Sequence, residues 1–174
     1  MKIKLSLLAL SALLTLSLQA ENLIFNADLT KLKSDKVATA WSCVGKLNIT
    51  FSSKNGSKEG IGYAEFAPGA NKAQGSIRQS LRNKVEIGKK YRLSADFKGE
   101  NFKADDYGFL LINTNWKGNV GVRRFQLRED GKWRTMSKVV TVPANWTSVT
   151  AVVFAVNMQG KLYVSNIKCE PVTE

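Results

Sequence analysis

The chain reads as an all-β protein, a sandwich or barrel of short antiparallel strands. Stretches rich in Val, Ile, Phe, Tyr and Thr alternate with Gly, Asn, Asp and Lys punctuation, and no segment holds a helical apolar period for three turns. The clearest stretch, KKYRLSADFKG, alternates strictly. Tyr91, Leu93, Ala95 and Phe97 fall on one face, and Arg92, Ser94, Asp96 and Lys98 on the other. A period of two is the mark of a strand with one buried side.

The first twenty residues stand apart from this pattern. Lys2 and Lys4 precede an unbroken run of Leu, Ala, Ser and Thr from Leu5 to Leu18, and Gln19-Ala20 offers a cleavage point before Glu21. The run is too short to span a bilayer and leads into polar sequence, so residues 1–20 read as a signal peptide and 21–174 as one exported domain without membrane insertion.

Trp41 opens an early strand and is expected in the core. FSSKNGSKEGIGY is a loop or loose hairpin around Asn55-Gly56. Gln79 shares the parity of Ile77 and Leu81, which makes it an inward-facing glutamine with its hydrogen bonds satisfied. Tyr107 starts the apolar strand that leads to INTNWKGNVG, where Trp116 sits among Asn113, Asn115 and Asn119. In VGVRRFQLRED, Phe125 and Leu127 alternate with Arg124, Gln126 and Arg128, and Asp130-Gly131 supplies a hairpin turn before Trp133. WTSVTAVVFAVN reads as a strand buried on most of both faces. A turn at Gln159-Gly160 then leads into GKLYVSNIKCEP.

Composition narrows the chemistry. Without the leader and its two lysines the chain carries a net charge of +10. That surface attracts polyanions. Its basic residues are spread along the chain without a nucleic-acid-binding motif, so no nucleic-acid partner is expected. Cys43 and Cys169 are the only cysteines. An oxidising compartment favours their pairing, the alternative being two small buried hydrophobes. There is no histidine, which removes Ser-His triads, Cys-His pairs and His-ligated metals together. The carboxylates Glu59, Glu65, Asp96, Glu100, Asp105, Asp106 and Glu129 sit mostly in turn-like contexts, none in an apolar setting that would raise a pKa. Catalysis is therefore not expected.

The order of segments is that of a known family. NLIFNADLT is followed by SIRQSLRNKVEIGKKYRLSADFKG, TVPANWTSVTAVVFAV and a terminal GKLYVSNIKCEP. Together these resemble the carbohydrate-binding-module type of galactose-binding-like jelly roll, the group appended to xylanases and β-glucanases. The resemblance covers nearly the whole mature chain and implies a jelly-roll β-sandwich of two antiparallel sheets. It also implies an opening strand beside the last one, and Trp146 in the core. Such domains often hold a structural calcium. Asp28 matches one of its acids, but Thr30 and Ser165-Asn166 stand where others would be, so a bound calcium is disfavoured and no cofactor is expected.

A sugar site needs rings to stack on and amides or guanidinium groups to bond hydroxyls. Trp116 with Asn113 and Asn115 supplies both, although a turn tryptophan packed on the core edge fits the same pattern. Arg124, Gln126 and Arg128 form a polar row that also suits carboxylates or sulfates. Tyr107 and Trp133 are further candidate rings, with core or hairpin-clamp packing ahead for Trp133. The sequence thus points to a secreted or periplasmic, monomeric, non-catalytic binder of a poly- or oligosaccharide, with anionic glycans favoured by charge. The alternative is a structural or adhesive cell-surface sandwich, and a polysaccharide lyase or glycosidase is less favoured.

Overall fold

The computed structural model describes residues 20–69, 73–113, 118–128 and 130–172. Residues 1–19, all but the last of the expected signal peptide, lie outside them, as do Asn115, Trp116 and Glu129. Twelve strands were assigned among the described residues. They are β1 (Leu32–Ser34), β2 (Val37–Ala38), β3 (Ser42–Gly45), β4 (Asn48–Ser52), β5 (Tyr63–Ala67) and β6 (Gln74–Ser80). There follow β7 (Lys90–Lys103), β8 (Asp106–Ile112), β9 (Asn119–Arg123), β10 (Arg134–Thr141), β11 (Thr150–Val156) and β12 (Gln159–Pro171). Sheet one has the order β10-β7-β12-β5-β4 and sheet two the order β3-β6-β11-β8-β9, with every pairing antiparallel. This is the jelly-roll sandwich that the resemblance implies.

Alternation builds the core as expected. Tyr91, Leu93, Ala95 and Phe97 of β7 point inward and meet Ile77, Phe109, Leu111, Ala151, Val153 and Ala155 of sheet two. In β12 the inward row is Leu162 and Val164, then Ile167 and Cys169. The change of parity is made by a bulge between Ser165 and Lys168, where Asn166 takes a φ of 50°. One extra residue there returns the last strand's apolar side to the core. Trp41 and Trp146 are both buried, the Trp41 indole donating to the Asn26 carbonyl at 3.2 Å. The Gln79 amide is also satisfied, accepting from the Phe25 N–H at 2.7 Å and donating to its carbonyl at 2.8 Å.

Four expectations need correction. The opening segment lies beside β12 but forms no regular strand, because turns with positive φ at Asn26 and Leu29 break it. It is held instead by Leu23 donating to the Cys169 carbonyl and by the Asn22 side chain bonding Ile167 and Cys169. The β11–β12 turn is Asn157-Met158, and Gly160 sits at a register break inside β12. A Cβ there would lie 2.1 Å from the Asn101 carbonyl oxygen, so only glycine fits.

The strand through VGVRRFQLRED ends at Arg123. Arg124 takes a φ of 50°, which stops the ladder, and residues 125–128 run on irregularly. Finally, Cys43 and Cys169 do not pair. Cys43 lies exposed on β3, the edge of sheet two, whereas Cys169 is buried in β12 of sheet one. Burial pushes the Cys169 thiol up to about 12.

Candidate functional site

The outer face of sheet two carries a cleft of about 420 Å³. Its shape follows from the register. One row across the sheet reads Val44, Ser76, Phe154, Gly108 and Arg123, each residue opposite the next on the neighbouring strand. The row beside it reads Ser42, Arg78, Val152, Leu110 and Gly121. A third, at the end of the cleft, reads Gln74, Val156 and Asp106. Phe154 therefore stands between a serine and a glycine, and neither neighbour is large enough to cover its ring. It remains half-buried, with Leu110, Ile112 and Val152 as an apolar floor separate from the main core.

Polar groups border this floor. Arg78 donates through Nε to Ser76 Oγ at 2.8 Å, and burial lowers its pKa from the usual guanidinium value. At the opposite border Arg123 grips Asp106: Nε lies 2.9 Å and 2.8 Å from the two carboxylate oxygens, and Nη2 donates as well. Arg124 adds a contact from its Nε to Asp106 Oδ1 at 3.2 Å. Burial alone would raise the Asp106 pKa, but the Arg123 hydrogen bonds and the two positive charges outweigh it and hold the carboxyl below its ordinary range. The site thus offers a ring, an aliphatic floor, hydroxyl and amide groups from Ser76, Gln74 and Asn119, and two guanidinium groups held in place. Those are the elements that stack on a sugar's C–H face and bond its hydroxyls.

The sequence-derived residues scatter. Arg124 reaches the border through Asp106, while Gln126 and Arg128 are exposed on the irregular segment beyond β9. Tyr107 faces the core, where it packs edge-on against Phe102 and Phe125 and its hydroxyl donates to the Phe125 carbonyl. It is not a platform. Asn113 is also buried, so it is not displayed to solvent, and its Oδ1 has no hydrogen-bond partner among the described residues. Trp133 lies on the outer face of sheet one, edge-on to Tyr163 at 6.5 Å with the Lys98 ammonium 5.7 Å from its ring. That is the hairpin-clamp arrangement, on the other side of the sandwich from the cleft.

Phe154, Arg78 and Arg123 were missed. The signal for Phe154 was present: in TAVVFAV the inward residues are Ala151, Val153 and Ala155, while the larger Val152, Phe154 and Val156 share the outward side.

The residues at the family's calcium position do not fit the ion. Ser165 Oγ donates to the Gly62 carbonyl at 2.6 Å and accepts the Ser57 N–H at 3.2 Å. Asn166 donates to Asp96 at 3.0 Å, and Ser57 and Thr135 hydroxyls donate to the same carboxylate. These oxygens are committed to neutral donors, and the described residues contain no group of three or more His, Cys, Asp or Glu able to hold a metal.

No protein-family profile and no curated protein matches the chain. Solved structures do. The CBM22-1 xylan-binding domain of Paenibacillus barcinonensis Xyn10C is similar at a TM-score of 0.64 and 12% identity, over 89% of this chain and 97% of that one. TmCBM61, solved in complex with β-1,4-galactotriose, is similar at 0.62 and 10% identity, over 88% and 100%. A Stig cyclase, Fisc from Fischerella sp. TAU, is similar at 0.60 and 14% identity, over 86% and 97%. The chain also spans 21% of the length of the enzymatically active domain of a bacteriophage CBA120 tailspike protein. At these identities the likeness defines the fold alone, a jelly-roll β-sandwich.

Proposed function

We propose that this chain is an exported, non-catalytic module that binds a polysaccharide in the cleft on the outer face of sheet two. The observation that carries the reading is Phe154, an aromatic ring left open between Ser76 and Gly108 and bordered by Arg78 and the Asp106–Arg123 pair. Phe154 takes the stacking role, while Gln74, Ser76 and Asn119 take the hydroxyls. Trp116, which lies outside the described residues, stays the stacking ring that the sequence alone points to. The surplus of guanidinium over carboxylate in the cleft, with the net charge of the mature chain, favours acidic glycans. The xylan-binding and galactotriose-binding neighbours support the ligand class without specifying it.

The cyclase neighbour raises a catalytic alternative, which the cleft does not favour. Asp106 is the one carboxylate among the described residues that line it, and two arginines hold it deprotonated. A general acid needs its proton near neutral pH. Affinity electrophoresis of the chain through neutral and acidic polysaccharides, at low and high salt, tests the proposal. Retardation by particular polymers that survives salt is expected. Retardation by every acidic polymer alike, abolished by salt, would reduce the reading to bulk charge.

A further inference from the structure

The cleft does not stop at the edge of sheet two. Strand β9 ends that sheet and β10 ends sheet one, and between them runs a second groove of about 410 Å³. Leu110, Asn119 and Arg123 line both spaces, so the two are continuous. The far wall of the groove is Lys138 to Thr141 of β10. Lys138 belongs to the inward row of that strand, between half-buried Met136 and buried Val140. Two apolar residues therefore flank a lysine where a third would be expected. It is exposed and makes no ion pair among the described residues. No carboxylate lines this groove among those residues, while Arg123 and Lys138 face it from opposite walls.

We propose that this groove is an oxyanion subsite, in which Arg123 and Lys138 take a carboxylate or sulfate substituent of the glycan whose chain lies in the adjacent cleft. The inference rests on the binding reading above and adds to it the charged group and its place. Arg123 suits the task because Asp106 fixes its Nε and Nη2 in one orientation. Lys138 acts as a point charge on the other wall, and the two cations can share one anion. The competing explanation is that an inward lysine on an edge strand guards against edge-to-edge pairing with another molecule.

Amide shifts of the isotopically labelled chain, titrated with sodium sulfate and sodium acetate at constant ionic strength, test the subsite without requiring a sugar. Saturable shifts at Gly121, Val139 and Thr141 are expected. Lys138→Gln should weaken them at least about fivefold, the loss of one charge-assisted contact, and Lys138→Arg should restore them. Acetate or sulfate binding more tightly decides between carboxylated and sulfated glycans. Equal shifts in Lys138→Gln, or shifts spread evenly over remote lysines such as Lys54 and Lys58, would overturn the subsite. So would a Lys138→Gln chain that merely self-associates, because Lys138 would then be an edge guard. A chain that takes sulfate in this groove yet is retarded by no polysaccharide would keep the subsite and sink the binding reading.

Discussion

Arg123 and Asp106 lock across the β8–β9 ladder, one guanidinium against both oxygens of a largely buried carboxylate, at the border between an apolar cleft and a basic groove. Their pairing holds Asp106, the one acid among the described residues of the cleft, in its deprotonated form and sets the direction in which the arginine points.

The pair should show itself in the pH dependence of stability. The folded-state pKa of Asp106 is depressed, so its contribution is complete above the unfolded value of about 3.9 and is lost as pH falls through the lower folded value. Asp106→Asn should cost about 1 to 2 kcal/mol at pH 7, discounted for the partial exposure of Arg123. Urea unfolding of both proteins at pH 7 and pH 3 should show the gap narrowing in acid. A gap that widens there would contradict the assignment.

Thiol counting tests the correction to the cysteines. One reactive thiol is expected in the native chain and two after denaturation without reductant. Cys169 is shielded by the core, and Cys43, though its residue surface is exposed, reacts slowly because desolvation of its thiol raises the pKa. Zero thiols in the denatured chain would mean that the disulfide forms.

The hydroxyl and amide cluster around Asp96 should make the fold indifferent to calcium. Added calcium and added chelator should leave the thermal midpoint where it was. Asp96→Ala should cost about 2 to 4 kcal/mol, because it leaves Ser57, Thr135 and Asn166 without an acceptor. A midpoint that rises with calcium would place an ion where the donors do not predict one.

Phe154→Ala and Phe97→Ala should separate binding from folding. Phe97 is fully buried between the sheets, and its truncation should cost about 3 to 5 kcal/mol. Among the described residues Phe154 packs against the small outer cluster and not the main core, so its loss should be well under half of that by chemical denaturation. Equal losses would make Phe154 a core residue and remove the platform.

Much of the fold was legible because it rests on alternation. The inward row of β7, the paired amide of Gln79 and the buried indole of Trp41 follow from parity or position in the chain, and the buried indole of Trp146 from the resemblance to the jelly-roll family. The site was harder to read for a local reason. A single left-handed residue, Arg124, ends β9 and shifts the guanidinium that faces the cleft to Arg123. No residue type announces that at an arginine. Tyr107 misled because every residue of β8 is buried, so polarity along the strand cannot tell core from cleft, and its hydroxyl partner lies in a later segment. Ser165-Asn166 was read only as a departure from the calcium pattern, not as the bulge that keeps β12 in register.

The central claim is that the outer face of sheet two holds the ligand, and two substitutions on opposite faces test it most directly. Phe154→Ala and Trp133→Ala should be compared by affinity electrophoresis with whichever polysaccharide retards the unmodified chain at high salt. The account predicts that retardation disappears in Phe154→Ala and survives in Trp133→Ala. Retardation that survives in Phe154→Ala and disappears in Trp133→Ala would contradict it and move the site to sheet one.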